Sequence, residues 1–198
     1  MITQMDKCTA LVLIDLQKGM LKRTEPGFLD DVLKNASRLA DEFRRRNLPV
    51  VIVSVDPFHP SWQKTRKEGH NMQSSNAIAH KASEVTDNLA GLMDSAIDVA
   101  PGDIRIVKHT WNAFFDTPLH DELKKCGVTQ IVLGGVSTGS GVEGTARAAA
   151  ELGYNIAFAV DAMADDVPEV HDNSIKHIFP RLGESGTTEE IIGMLTTI

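Results

Sequence analysis

Residues 131–146 read IVLGGVSTGSGVEGTA. A buried strand at Gln130 to Gly134 runs into a glycine-rich turn, and a helix opens at Val142 and closes at Gly153 after Leu152. Strand, turn and helix in that order are one unit of a parallel sheet whose helices cross its faces. The neighbouring sequence repeats the alternation. Thr9 to Ile14 is a continuous apolar run ending at Asp15, which suits a strand buried on both sides. Phe28 to Asn47 carries Leu29, Val32, Leu33, Ala36, Leu39, Ala40 and Phe43 at helical period. Pro49 to Val55 and Ile104 to Lys108 read as the second and third strands, Asp116 to Cys126 as a helix stopped by Gly127, and Asn155 to Val160 as the fifth strand. Helices follow at Pro168 to Ile178 and Thr188 to Leu195, the last capped by Thr187 or Thr188. The expectation is one α/β domain over residues 1–198, three layers deep, with a mainly parallel, Rossmann-like sheet of five or six strands.

The pattern weakens between Asp56 and Asp103, a stretch too long for a simple connection, and a lid or an oligomer contact is expected there. At 198 residues the chain can bury a substantial core. Its net charge of −7 argues against a nucleic-acid partner, which demands basic surface. The one dense basic cluster, Arg44, Arg45 and Arg46, falls at a helix end where cations oppose the dipole. No apolar run approaches the ~20 residues that span a bilayer, and MITQMDKC does not read as an export signal, so a cytoplasmic protein without membrane attachment is expected. Cys8 and Cys126 make neither a disulfide framework nor a metal spacing and read as packing residues.

In open parallel sheets ligands bind beyond the carboxyl ends of the strands. Asp15, Lys108 and the Gly135 to Gly141 turn all belong to that edge. Burial at the end of an apolar strand raises a carboxyl pKa and makes Asp15 a usable proton donor or acceptor, with Lys108 opposing the shift. Strand order stays open; the first, third and fourth strands side by side would best unite these groups. Gly139, Gly141 and Gly144 also match G-x-G-x-x-G, with Asp161 about 20 residues beyond, as in dinucleotide-binding folds. Against that reading, Val136, Ser137 and Thr138 separate the strand from the first glycine, and little chain follows Asp161.

Three motifs carry a resemblance. LVLIDLQKGML at Leu11 to Leu21, IVKHTWNAFF at Ile106 to Phe115 and GVSTGSGVEGTARAAAELGY at Gly135 to Tyr154 together resemble the isochorismatase-like hydrolase superfamily, which includes nicotinamidases and other cysteine amidohydrolases. A tail of the form HxNSIxxIFPR, here His171 to Arg181, is similar to members without an assigned activity. The resemblance implies an isochorismatase-like fold, puts Asp15 and Lys108 on two of three catalytic positions, and implies a cis peptide between Val136 and Ser137. The family turn looks like G-V-x-T-x-x-C-V-x-x-T; Gly135, Val136, Thr138, Val142 and Thr145 fit it, and the place of the cysteine is Gly141. True isochorismatases are similar in having glycine there, and they hydrolyse a vinyl ether with the aspartate as proton donor and no covalent intermediate. Ser140 is one residue out of register, about 100° away around a helix, and is a poor substitute nucleophile.

Gln17, Met20 and Trp111 are the candidates for lining a substrate pocket, together with Val136, Ser137 and Ser140 of the turn, while Phe114 is assigned to the core. Ser137, Thr138 and Ser140 read as hydrogen-bonding turn residues or helix caps. Nicotinamidases carry a metal near an Asp-x-His element. Here Asp56 and His59 are separated by two residues, with His70 or His80 left to complete a set, and the remaining histidines His109, His120, His171 and His177 form no ligand spacing. No metal and no cofactor are expected. The function expected is hydrolysis of a small anionic metabolite by a homo-oligomer, dimer or tetramer, with Asp15 as general acid and base. Lys108 holds the substrate's carboxylate or tunes Asp15, and the amides from Val136 to Gly141 take up developing negative charge. Two rivals stand: an inactive binding or assembly module of the same fold, and a dinucleotide-binding oxidoreductase.

Overall fold

The structure is a computed structural model that describes residues 2–21, 27–56 and 93–196. Six strands, β1 (Thr9–Ile14), β2 (Val50–Val55), β3 (Ile104–Lys108), β4 (Gln130–Val136), β5 (Asn155–Ala164) and β6 (Glu184–Gly186), form one sheet in the order β3-β2-β1-β4-β5-β6. Every pairing is parallel. The helices are α1 (Lys18–Leu21), α2 (Asp30–Arg45), α3 (Leu119–Lys125), α4 (Glu143–Glu151), α5 (Pro168–Asn173) and α6 (Thr188–Leu195).

Strand residues alternate between two apolar layers, as period-2 side chains must. Leu11, Leu13, Val50, Ile52, Val132 and Ala157 pack with Val32, Ala36, Leu39 and Phe43 of α2 and with Ile191 and Leu195 of α6. Val12, Ile14, Val51, Val53, Ile131, Leu133 and Phe158 face the other way, against Leu119 and Leu123 of α3 and Ala146 and Ala149 of α4. Each such fully buried aliphatic side chain contributes roughly 1.5–3 kcal/mol, and both faces of β1 and β4 are covered, which explains their unbroken apolar runs.

Helix boundaries fall a few residues inside the expected ones at α2 and α3. The expected tail helix is divided: α5 ends at Asn173, a wider turn continues over Ser174–Ile178, and a tighter one follows at Phe179–Arg181. α6 has the expected bounds and a capping box, Thr187 accepting from Glu190 N and Glu190 accepting from Thr187 N. β5 runs on to Ala164, past the expected end, because its register against β4 slips: Leu133 faces Phe158, but Gly135 faces Met163. Arg44, Arg45 and Arg46 are paired with Asp103 and Glu42 at the end of α2.

Of the long Asp56 to Asp103 stretch, residues 57–92 lie outside the described ones, and with them the expected lid. Its last part docks beside β1: Ala96 N donates to Leu16 O, Lys18 N to Asp94 O, and Gln17 bridges to Ser95. Among the described residues no helix is long and apolar enough to cross a membrane.

Candidate active site

The sheet order reverses between β1 and β4, and the crevice at such a switch point is where parallel sheets receive ligands. Asp15 leaves β1 in a left-handed conformation, φ 53°, with its N–H bonded to Val53 O and its carbonyl accepting from Gln17 N. This turn keeps the carboxylate at the sheet edge, where the residue is only 5% exposed. Lys108 ends β3 and is 1% exposed. The strand order most favourable to their meeting is not the one adopted, because β2 lies between β3 and β1. Two strand spacings amount to roughly 10 Å. The lysine's long aliphatic stem crosses the end of β2, where Val55 is its register partner, and places Nζ 2.8 Å from Asp15 Oδ2 and 2.8 Å from the carbonyl of Trp111.

The two oxygens of Asp15 are unequal. Oδ2 has the ammonium; Oδ1 is buried and has no hydrogen-bond partner among the described residues. Burial outweighs the attraction of Lys108 and raises the carboxyl from 3.8 to about 6. A carboxyl of that kind exchanges a proton near neutral pH, and its bare oxygen is where a substrate would meet it.

The turn after β4 closes on the same edge. Gly135 has φ 117°, and a Cβ there would lie 2.1 Å from Ile14 O, so only glycine lets β4 end against the start of the Asp15 turn. The Val136–Ser137 peptide is cis, as the family resemblance implied. Thr138–Val142 then forms a wide helical turn, with Val142 N donating to Ser137 O, before α4 begins. A side chain on Gly141 would place its Cβ 3.4 Å from Asp15 Oδ2, 3.2 Å from Val136 O and 3.0 Å from Ile14 Cγ2. Asp15, Lys108 and Gly141 therefore converge. Not all turn amides are available to a ligand: Gly139 N is bonded to Asp165 and Ser140 N to Ser137 O, leaving those of Ser137, Thr138 and Gly141 unclaimed by these bonds. None of Ser137, Thr138 and Ser140 caps the helix; neither the wide turn nor α4 has a side-chain cap, and Thr138 Oγ1 bonds instead to His171 Nδ1.

The other candidates are dispersed. Gln17 behaves like one more strand residue, its carboxamide donating to Val55 O and accepting from Val55 N. Met20 packs against the core beneath β1. Trp111 is 61% exposed and reaches the site through its carbonyl. Phe114 packs into the core and stacks on Tyr154. Ser140 is half-buried in the turn. Asp161 sits within β5 and accepts from both the N–H and hydroxyl of Thr188, so the carboxylate required at a strand end for a dinucleotide ribose is already committed to α6. Asp56 Oδ2 is 3.9 Å from His109 Nδ1, whereas His59, His70 and His80 lie outside the described residues. No cluster of three metal-ligating side chains exists among the described residues. Both cysteines are exposed at the amino ends of strands, away from the turn. A hollow of about 540 Å³ lined by Thr3, Met5, Cys8, Thr129 and Met194 lies on that amino edge too, remote from Asp15.

Residues 9–190 match the isochorismatase domain. Among curated sequences the chain is 39% identical over 184 residues to the uncharacterized isochorismatase family protein YwoC of Bacillus subtilis, covering 93% of this chain and 92% of that one. It is 38% identical over 190 residues to the uncharacterized isochorismatase family protein YecD of Escherichia coli O157:H7, covering 96% and 97%. A solved structure of an isochorismatase family protein from Burkholderia thailandensis superposes with a TM-score of 0.80 at 29% identity, covering 99% of this chain and 100% of that one.

Proposed function

This chain belongs to the isochorismatase family, and from that premise we propose that it hydrolyses a small anionic metabolite at a vinyl ether or related C–O or C–N bond, without a covalent enzyme intermediate. The observation that carries the reading is Oδ1 of Asp15, buried and without a partner among the described residues, beside Lys108 and the side-chain-free position 141.

For a vinyl ether the sequence of events is short. Protonated Asp15 gives its proton to the alkene carbon, and the positive charge that develops on the oxygen-bearing carbon draws in water. The water's proton returns to Asp15 as the new C–O bond forms, and the adduct collapses to an alcohol and a ketone. Lys108 uses two of its three N–H donors on Asp15 and Trp111 O, and the third, with no partner among the described residues, would take a substrate carboxylate. The amides of Ser137, Thr138 and Gly141 supply further donors to an anionic group. Gly141, in the place the family gives to cysteine, offers no thiol and keeps the backbone of the turn close to Asp15.

Purified protein incubated with isochorismate, nicotinamide and a panel of small amides, alongside Asp15→Asn, tests this. The expected outcome is turnover of the vinyl ether, none of the amides, and loss of turnover in the variant with an unchanged circular dichroism spectrum. Turnover that survives Asp15→Asn removes Asp15 from the mechanism, and amide hydrolysis by the parent protein refutes the non-covalent route.

A further inference from the structure

We propose that Asp165 is a positioning residue: with the segment that follows it, it braces the 137–143 turn against Asp15. The inference rests on reading Asp15, Lys108 and Gly141 as the reactive centre.

Asp165 stands immediately beyond β5, buried at the same sheet edge as Asp15. Its Oδ2 accepts from Gly139 N at 2.8 Å and its Oδ1 from Val167 N at 3.2 Å. Both oxygens are turned onto backbone amides, so this second carboxylate is not arranged to exchange protons with a substrate. It joins the turn to the start of α5. Two further ties run in parallel, Thr138 Oγ1 to His171 Nδ1 at 2.8 Å and Ser174 Oγ to Glu143 Oε2 at 2.7 Å. The brace also fits by shape, since a Cβ on Gly139 would lie 2.0 Å from Val170 Cγ1, so any larger residue there would have to displace the Val170 side chain.

Gly139 and Gly141 are two residues apart in a helical turn, hence on roughly opposite sides of it. One side meets Val170 and Asp165; the other faces Ile14 and Asp15. The turn is held between them. Release on the Asp165 side lets it move away from Asp15 and admits water to a carboxyl whose properties depend on exclusion of water. The His171 to Arg181 motif thereby acquires a purpose, because His171 and Ser174 are its first and fourth residues and both reach the turn.

The test reads Asp15 directly. Carboxyl NMR gives its titration midpoint, and amide hydrogen exchange reports Gly139, in Asp165→Ala, Asp165→Asn and His171→Ala. Asp165→Ala is expected to move the Asp15 midpoint from about 6 toward its ordinary value and to speed Gly139 exchange about tenfold or more. On the substrate found above, kcat falls about tenfold or more while KM changes little. Asp165→Asn, keeping one acceptor oxygen, recovers part of each effect. Folded Asp165→Ala with an unmoved Asp15 midpoint and unmoved Gly139 exchange overturns the proposal. If Asp165→Ala does not fold, half-buried His171→Ala decides: the same shifts at smaller size support the brace, and their absence overturns it. Neither spectroscopic readout needs turnover, so a failed reactive-centre reading shows separately, as activity that survives Asp15→Asn.

Discussion

Two carboxylates at opposite edges of the sheet are hidden from solvent and face a cation at almost the same distance, yet they are built for different ends. Asp103, just before β3, lies 2.7 Å from Arg44 of α2, and its side chain is 2% exposed. Arg44 grips both of its oxygens through Nε and Nη2, and Ala100 N adds a third donor. Arg44 in turn reaches Asp41 and the carbonyl of Asp98, and the bonds to Asp103 hold the guanidinium above its ordinary pKa. At Asp15 the cation is a point charge on one oxygen, and the second oxygen has no partner among the described residues. Burial with both oxygens held by donors fixes a fold; burial with one oxygen left bare stores the capacity to take or give a proton.

Matched substitutions separate the two. In turnover, Asp15→Asn is expected to cost about a thousandfold, the scale of a lost general acid, while Asp103→Asn leaves kcat unchanged. Stability reverses the order. An amide at 103 sets an N–H₂ group against Arg44 or Ala100 N, with an expected loss of about 3–4 kcal/mol in chemical denaturation. At position 15 the amide removes an anion that the interior disfavours but also the counter-charge of Lys108. The expected net change is within about 1 kcal/mol at pH 7. An inactive Asp103→Asn that unfolds normally would erase the distinction.

The pH dependence sharpens it. Folding raises the Asp15 carboxyl from 3.8 to about 6, so the folded chain holds this proton more tightly than the unfolded one. Its contribution to stability is fully present below about pH 4, declines between about 4 and 6, and is lost above, up to about 3 kcal/mol in all. Denaturation midpoints measured from pH 4 to 8 should therefore show a decline in the parent protein that is absent in Asp15→Asn and retained in Asp103→Asn. With Asp15 as proton donor in the free enzyme, kcat/KM should also fall as pH rises through about 6. A rise across that range would make the ionised form the active one.

Much of this contrast was legible in the residues themselves. An apolar run ending in Asp15, a strand ending in Lys108 and a glycine-rich turn after a third strand named the edge and the residues that meet there, because period and strand ends are local properties. Strand order is not. That β2 separates β1 from β3 depends on how all strands pair, and only a side chain as long as lysine makes the observed order compatible with the pair. Gln17 was read as a pocket residue, yet a carboxamide can stand in for a peptide group, and nothing in its sequence context distinguishes the two uses. Asp161 and Asp165, four residues apart, illustrate the same limit. The register slip in β5 carries the strand past Asp161 and presents Asp165 to the turn, and no local pattern reports that slip.

The smallest effect concerns the glycine that faces Asp15. A methyl group on residue 141 would sit 3.0 Å from Ile14 Cγ2 and 3.2 Å from Val136 O, closer than side chains ordinarily approach, and 3.4 Å from Asp15 Oδ2. Gly141→Ala gains a little by restricting the unfolded chain and loses more to overpacking, for an expected net cost of about 1–2 kcal/mol. The contact with Ile14 is the part that can be relieved. Ile14→Leu removes the Cγ2 branch at nearly constant volume, so a double-mutant cycle of the two changes should show favourable coupling of about 0.5–1 kcal/mol. Additive costs would instead assign the strain to the carbonyl of Val136, which cannot move without disturbing the end of β4. In that case the turn, rather than the side chains of β1, sets what position 141 can hold.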